Sequence, residues 1–237
     1  MFTAVSLACG SLPSIVPEPT ATPAPVEMGD MLIFNKIAPP FTANLSPGEK
    51  IAGVQMEYIG RTADGGYEVS INGTKSVKRT GDSFIWSGII APGTHGQFNL
   101  RITTEVLGEL PVAGAATITI LNPDPFQLEA IPNGSEGLSF TLIPLLDANI
   151  PVGAKILGTT LIYNGITNQG TIEVAQIGNG IESSYYATGD SIIWRGKLRD
   201  NVYVQYNLHI ISFNENSIFV GGTADLYIEN NSFAITE

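Results

Sequence analysis

Short runs of alternating apolar and polar side chains recur along most of the chain. Residues 52–58, 99–106 and 112–120 each alternate with a period of two, which is the pattern of a half-buried β-strand. Turn-forming sequences such as Asn72-Gly73 and Ala91-Pro92-Gly93 separate the runs, as expected between paired strands. The pattern therefore predicts an all-β fold of antiparallel strands packed as a sandwich.

A long internal repeat organises the chain. The motif TGDSFIWSG at 80–88 returns as TGDSIIWRG at 188–196, a displacement of 108 residues. Upstream, a displacement of 105 relates Gly48, Tyr58 and Gly60 to Gly153, Tyr163 and Gly165. The difference falls between Val69 and Thr80, where a loop can accept an insertion. We infer the duplication of a unit of about 100 residues, the size of one ordinary domain, with the joint at the turn-rich residues 122–125.

The repeated motif contains the residues that we expect to organise each copy. Trp86 and Trp194 are the only tryptophans and occupy the same place in the two copies, so each copy is predicted to close around its own indole ring. Asp82 and Asp190 precede them and are predicted to accept hydrogen bonds from backbone N–H groups of a tight turn. A calcium site is the alternative, but one carboxylate is too few to hold that ion, so we expect no metal.

The amino-terminal residues differ from the rest in composition. Residues 1–9 read MFTAVSLAC, a run of mostly apolar or small residues that ends at Cys9, the only cysteine of the chain. Residues 10–28 are rich in proline and contain no lysine or arginine, and such a segment does not form a core. One interpretation of residues 1–28 is therefore a disordered leader with an unmodified cysteine.

These features resemble those of a bacterial lipoprotein, in which a small residue precedes an acylated cysteine. The resemblance implies a signal remnant at residues 1–9, lipidation of Cys9, a stalk at 10–28 and anchoring at the outer face of the membrane. The repeats at 29–123 and 124–237 resemble immunoglobulin-like domains in size and strand pattern, without the cysteine pair of antibody domains. We therefore expect two tandem antiparallel β-sandwich domains.

The net charge and the motifs that are missing from the sequence disfavour several classes of function. The chain has 22 acidic and 11 basic side chains and a net charge of −11, which disfavours nucleic-acid binding. The two histidines, His95 and His209, do not occupy equivalent places in the repeats. The sequence has no zinc-ligand spacing, phosphate-binding loop or G-x-S-x-G elbow. We expect a protein that is not an enzyme and that uses no cofactor.

The second copy is more apolar than the first at positions that the alternation places outward. Ile162, Ile211 and Phe213 stand where the first copy has Glu57, Thr103 and Glu105. We interpret these three residues as a candidate interface that packs on the first domain or on a partner. The alternative is that the strand phase is wrong by one residue, which would place them in the core.

Four tyrosines of the second copy are candidates for a ligand platform: Tyr185, Tyr186, Tyr203 and Tyr206. Exposed tyrosine rings on one surface can stack against sugars or peptides, although strands are rich in tyrosine for packing reasons as well.

The leading hypothesis is an exported surface protein for adhesion, scaffolding or assembly of an envelope complex through protein–protein contacts or self-assembly. The alternative is a carbohydrate-binding module that uses these tyrosines.

Overall fold

A computed structural model describes residues 30–132, 137–180 and 182–229, except for the side chains of 146–148. Cys9 and the proline-rich segment lie outside the described residues. All regular secondary structure in the described part of the chain is strand, which confirms the all-β prediction. The strands are β1 (Met31–Leu45), β2 (Glu49–Lys50), β3 (Met56–Arg61), β4 (Tyr67–Ile71), β5 (Thr74–Lys78), β6 (Ser83–Ala91), β7 (Thr94–Ile102), β8 (Leu110–Leu121), β9 (Phe126–Gln127), β10 (Gly137–Pro151), β11 (Ile162–Gln169), β12 (Ile172–Gly178), β13 (Ser183–Tyr186), β14 (Ser191–Arg199), β15 (Val202–Phe213) and β16 (Ser217–Glu229).

The strands form four sheets, and neighbouring strands in every sheet are antiparallel. In the first half of the chain the orders are β1-β8-β7-β6 and β2-β3-β4-β5. In the second half they are β10-β16-β15-β14-β9 and β11-β12-β13. Buried and exposed side chains alternate along the long strands such as β7, as in sheets with one face on a core. This arrangement is consistent with a β-sandwich architecture.

The turn before each tryptophan strand is built in the same way in both halves. The carboxylate of Asp82 accepts a hydrogen bond from the backbone N–H of Arg79 at 2.8 Å. The carboxylate of Asp190 accepts one from the backbone N–H of Ala187, also at 2.8 Å. Each aspartate thus satisfies a backbone donor of its own turn, the role that the sequence predicts for it.

Both tryptophans lie in the core, and a glycine two residues later makes room for each ring. Trp86 is 5% exposed and Trp194 is 1% exposed. A Cβ atom at Gly88 would lie 2.5 Å from Cζ2 of Trp86, and one at Gly196 would lie 2.2 Å from Cη2 of Trp194. Since real Cβ contacts are longer, a larger residue at either glycine would displace the indole ring.

The hydrophobic core is continuous between the two halves of the chain. Phe140 of β10 has its ring centroid 5.4 Å from that of Phe41 in β1 and 6.2 Å from that of Phe98 in β7. Phe41 and Phe98 are themselves 5.4 Å apart in an edge-to-face arrangement. All three distances are typical of stabilising aromatic pairs, so this phenylalanine cluster joins one half to the other.

A buried lysine makes a second connection between β1 and β10. Lys36 is 5% exposed, and its ammonium group donates to the backbone carbonyls of Thr141 and Leu142. These carbonyls lie at a bulge where the pairing of β10 with β16 shifts between Phe140 and Ile143. Burial lowers the pKa of the Lys36 amine, and the carboxylate of Asp225 opposes that shift. The bulge thus supplies the acceptors that a buried ammonium group requires.

Candidate functional site

A cavity of about 390 Å³ opens where β1 meets β10, β15 and β16, so its wall comes from both halves of the chain. That volume lies in the usual range of ligand pockets. The lining is mainly apolar. It consists of Leu32, Ile33, Phe34, Asn35, Ile37, Ala38, Pro144, Leu145, Ile156, Leu157, Tyr206, Leu208 and Val220.

Three large apolar side chains of the lining are open to solvent. Ile33 is 51% exposed, Ile37 is 63% exposed and Leu157 is 60% exposed. We call these three residues the apolar rim. Ile33 and Ile37 belong to β1, whereas Leu157 follows β10, so the rim draws on both halves. Clustered apolar exposure of this kind beside a cavity is typical of an interaction site.

The buried wall of the cavity includes Tyr206, which is 2% exposed. Its ring stacks on Phe34 at 6.3 Å and lies 5.9 Å from the ring of Trp194. A Cβ atom at Gly158 would lie 2.3 Å from the Tyr206 hydroxyl oxygen and 2.8 Å from a methyl group of Leu32. Only a glycine there lets the 156–158 turn approach this closely, and its φ of +70° favours glycine as well.

The hydroxyl group of Tyr206 has no hydrogen-bond partner among the described residues. Burial raises the pKa of this phenol, because the charged form would lose its hydration. The other polar lining side chain, Asn35, accepts a hydrogen bond from the hydroxyl of Thr117 at 3.0 Å. The cavity is therefore suited to an apolar group that brings at most one or two polar atoms.

The lining of the cavity is almost entirely aliphatic and aromatic. The described lining residues include no carboxylate, histidine or cysteine, which are the usual acids, bases and nucleophiles of enzymes. No group of three or more metal-binding side chains occurs in residues 30–132, 137–180 and 182–229. The site can hold a neutral group by apolar contact.

The predicted tyrosine platform does not form, and for Tyr206 the prediction is wrong. Tyr203 and Tyr206 are an odd number of residues apart on β15, so they face opposite sides of the sheet, and Tyr206 is in the core. Tyr185 and Tyr186 lie on β13 in the three-stranded sheet. Tyr203 instead stacks on Tyr227 of β16, a neighbour that the sequence analysis did not select.

The three residues of the predicted interface do not share one sheet. Ile162 is half-buried in β11, and Ile211 is 43% exposed in β15. Phe213 is half-buried and packs against the core, so its outward assignment is wrong. The reason is a register shift of β15 between Ile210 and Ser212, which changes the face on which the following residues lie.

Sequence reasoning missed the cavity because its lining comes from segments that are far apart in the chain. One signal was present: Met31, Ile33 and Ile37 are apolar at the positions of β1 that alternate with buried Leu32, Phe34 and Lys36. An apolar residue on the outward side of a strand, repeated at a spacing of two or four, indicates a second contact surface.

The chain matches no protein-family model, no curated protein and no solved structure in the three comparisons that we made. In the part of the chain that the structure describes, no helix has the length and apolar character needed to cross a membrane.

Replacing Tyr206 by phenylalanine should keep the ring contacts and remove the unpaired hydroxyl. We expect the free energy of unfolding to stay the same or to rise by about 1 kcal/mol. The matched control is Tyr163→Phe, which removes a hydroxyl that donates to the carbonyl of Asn214 at 2.6 Å and should lower that free energy by about 1 kcal/mol.

Urea unfolding of both variants at neutral pH and above pH 10 is the measurement. Because the pKa of Tyr206 is raised by folding, the stability of the parent chain should fall above the pKa of an unfolded tyrosine, about 10. That fall should be smaller in Tyr206→Phe. An equal loss of stability in the two variants at neutral pH would show that the Tyr206 hydroxyl is paired after all.

Proposed function

We propose that this chain is a non-catalytic, exported surface protein that acts through protein–protein contacts in adhesion, scaffolding or assembly of an envelope complex. In this proposal its two immunoglobulin-like domains, at 29–123 and 124–237, stand on the segment 10–28. A lipid on Cys9 holds that segment at the outer face of the bacterial membrane.

The apolar cavity with its apolar rim is the observation that supports a binding role. A partner that inserts apolar side chains would bury Ile33, Ile37 and Leu157, each of which is more than half exposed. Completing the burial of a large aliphatic side chain contributes about 1–2 kcal/mol, so the rim alone corresponds to a hundredfold or more in affinity.

The chemistry of the lining also limits the partner. A charged group inserted among these apolar side chains would lose its hydration without gaining a counter-ion. We therefore propose that the partner contributes neutral, aliphatic or aromatic side chains, in the manner of the buried anchor residues that dominate many interfaces. Contacts of this kind would serve adhesion, scaffolding or assembly.

Site-specific photo-crosslinking tests this role directly. Benzoylphenylalanine at Leu157, in cells that make the full chain, should give a discrete crosslinked adduct with one protein. The same label at Ile172, which is 62% exposed and lies in the three-stranded sheet, is the matched control and should give several-fold less adduct.

A charge introduced into the apolar rim should abolish the adduct. Ile37→Asp in the chain that carries the label at Leu157 should reduce the adduct at least tenfold, because the carboxylate would have to be desolvated. Equal labelling from Leu157 and Ile172, or an adduct that survives Ile37→Asp unchanged, would contradict a protein contact at the cavity.

Carbohydrate binding is the second candidate, and the stacked pair Tyr203 and Tyr227 favours it. Their ring centroids are 6.2 Å apart with an interplanar angle of 27°, and they face each other across β15 and β16. On the same face of β15, Gln205 accepts a hydrogen bond from Arg195 at 2.6 Å. Aromatic rings beside planar polar groups are suited to a sugar ring.

Affinity electrophoresis in gels that contain soluble β-glucan, xylan or mannan tests the second candidate. If it holds, one polysaccharide should retard the protein, and Tyr203→Ala should remove most of the retardation. Tyr185→Ala, at a tyrosine that is 49% exposed on another sheet, should leave it unchanged. No retardation by any of the three, or equal effects of both substitutions, would count against this candidate.

A further inference from the structure

The outer edge of β6 lacks the features that usually protect an edge strand. β6 is the last strand of its sheet, and within the described residues no strand pairs with its outer edge. It contains no charged residue and no proline, the residues that commonly stop a further strand from adding to an edge. The longer edge strands β1 and β10 both contain proline. Among the described sheets, β6 is therefore the longest edge strand that has neither.

The corresponding strand of the second copy is protected in two ways. β14 carries the same tryptophan motif, but it has Arg195 and Lys197 where β6 has Ser87 and Ile89. The short strand β9 also pairs with the outer edge of β14. There, the N–H of Leu128 donates to the carbonyl of Arg195 at 2.9 Å. The first copy thus has the same kind of edge without the charges and without a described covering strand.

The direction of the backbone groups of β6 follows from its pairing with β7. The N–H of Ile102 donates to the carbonyl of Asp82 at 3.1 Å. Because the side to which the backbone groups point alternates along a strand, residues 82, 84 and 86 direct theirs to β7. The backbone N–H and C=O groups of Ile85, Ser87 and Ile89 therefore point to the free edge.

These three residues, which we call the edge stripe, also have exposed side chains. Ile85 is 53% exposed and Ile89 is 70% exposed. The hydroxyl oxygen of Ser87 is hydrogen-bonded to Nε2 of His95 at 3.3 Å. The edge stripe is therefore mainly apolar, and its one polar side chain already has a partner within the chain.

The edge stripe is complementary to itself under a two-fold rotation. If Ser87 lies opposite Ser87 of a second copy in an antiparallel pair, Ile85 lies opposite Ile89 of that copy, and Ile89 lies opposite its Ile85. Each of the three opposed pairs exchanges two backbone hydrogen bonds, about six in all. The four isoleucines meet across the strands in the arrangement of stabilising cross-strand pairs.

The charges near β6 permit this pairing. The net charge of −11 makes two copies repel each other at long range, so a contact surface without carboxylates is favoured. In β6 and β7 together the only aspartate, glutamate, lysine or arginine is Arg101, which lies opposite Ser83. In the two-fold pair the two Arg101 residues lie at opposite ends of the contact, about 26 Å apart along the strands.

We propose that two copies of this chain associate edge to edge through β6, antiparallel, with Ser87 on the two-fold axis. The two four-stranded sheets then form one continuous sheet across the dimer. A second copy always supplies a matching free strand, and a two-fold contact of this kind closes as a dimer instead of growing into a fibre. No residue of β6 lines the cavity, so this self-association goes beyond the proposed function.

Disulfide trapping tests the register. Cys9 is the only cysteine, so the purified full chain with Cys9→Ser is a cysteine-free background. Ser87→Cys should then form a disulfide-linked dimer in a glutathione redox buffer, because residues of a hydrogen-bonded pair lie within disulfide reach.

Ile85→Cys is the matched control, since the two copies of residue 85 would be about 13 Å apart along the strands. We expect at least tenfold more dimer from Ser87→Cys than from Ile85→Cys. Adding Ile89→Cys to Ile85→Cys should restore the crosslinked dimer, because these two positions face each other across the axis.

Analytical ultracentrifugation of the cysteine-free chain tests the association without a crosslink. The parent chain should show a dimer whose fraction rises with protein concentration. Ser87→Lys should weaken dimerisation at least tenfold, because it places two ammonium groups opposite each other on the axis. Ile193→Lys, at an isoleucine of β14 that is 58% exposed, is the matched control and should leave dimerisation unchanged. Tryptophan fluorescence checks that both variants are folded.

Four results would overturn the proposal. They are a monomer at every concentration, equal crosslinking of Ser87→Cys and Ile85→Cys, a dimer that survives Ser87→Lys, and loss of the dimer in Ile37→Asp. The last result would assign self-association to the cavity instead of β6. Because the purified chain contains no other protein, failure here leaves the proposed surface function to be judged by the crosslinking at Leu157.

Discussion

Packing of Phe41, Phe98 and Phe140 against one another is the contact on which the rest of the structure depends. The cluster takes two rings from the first half and one from the second, with centroids 5.4–6.2 Å apart. It makes the core continuous and brings β1 beside β10. The amine of Lys36, bonded to carbonyls at the bulge of β10, adds a polar connection beside it. Residues of both strands line the cavity, together with residues of β15 and β16.

Much of the fold could be predicted because it rests on local rules. Period-two alternation identified β8 and parts of β3 and β7, although residues 52–55 and 103–106 of the alternating runs lie outside these strands. The Asn72-Gly73 turn joins β4 to β5 as such pairs do. The repeated motif identified the buried tryptophans and the aspartates that bond to their own turns. Each of these features depends on residues that are close in sequence, so a pattern in the sequence is enough to detect it.

The rest could not be predicted because it depends on bulges and on contacts between distant segments. A bulge adds a residue to one strand. The alternation in the sequence then assigns the residues beyond the bulge to the wrong face of the sheet. Phe213 after the shift in β15 is the example. Tyr206 was misjudged for a simpler reason, since its distance from Tyr203 already placed the two on opposite faces. The cavity is lined by residues of β1, β15 and β16. No local sequence pattern indicates that these distant strands lie close together.

A double-mutant cycle between the two halves tests whether they share one core. The substitutions Phe41→Leu and Phe140→Leu would be made singly and together. Unfolding in urea would be followed by the fluorescence of Trp86 and of Trp194 separately. If the core is shared, we expect one transition for both tryptophans and a coupling energy of about 0.5–1.5 kcal/mol between the substitutions. Separate transitions for the two tryptophans, or strictly additive effects, would mean that the halves fold independently and would contradict a shared core.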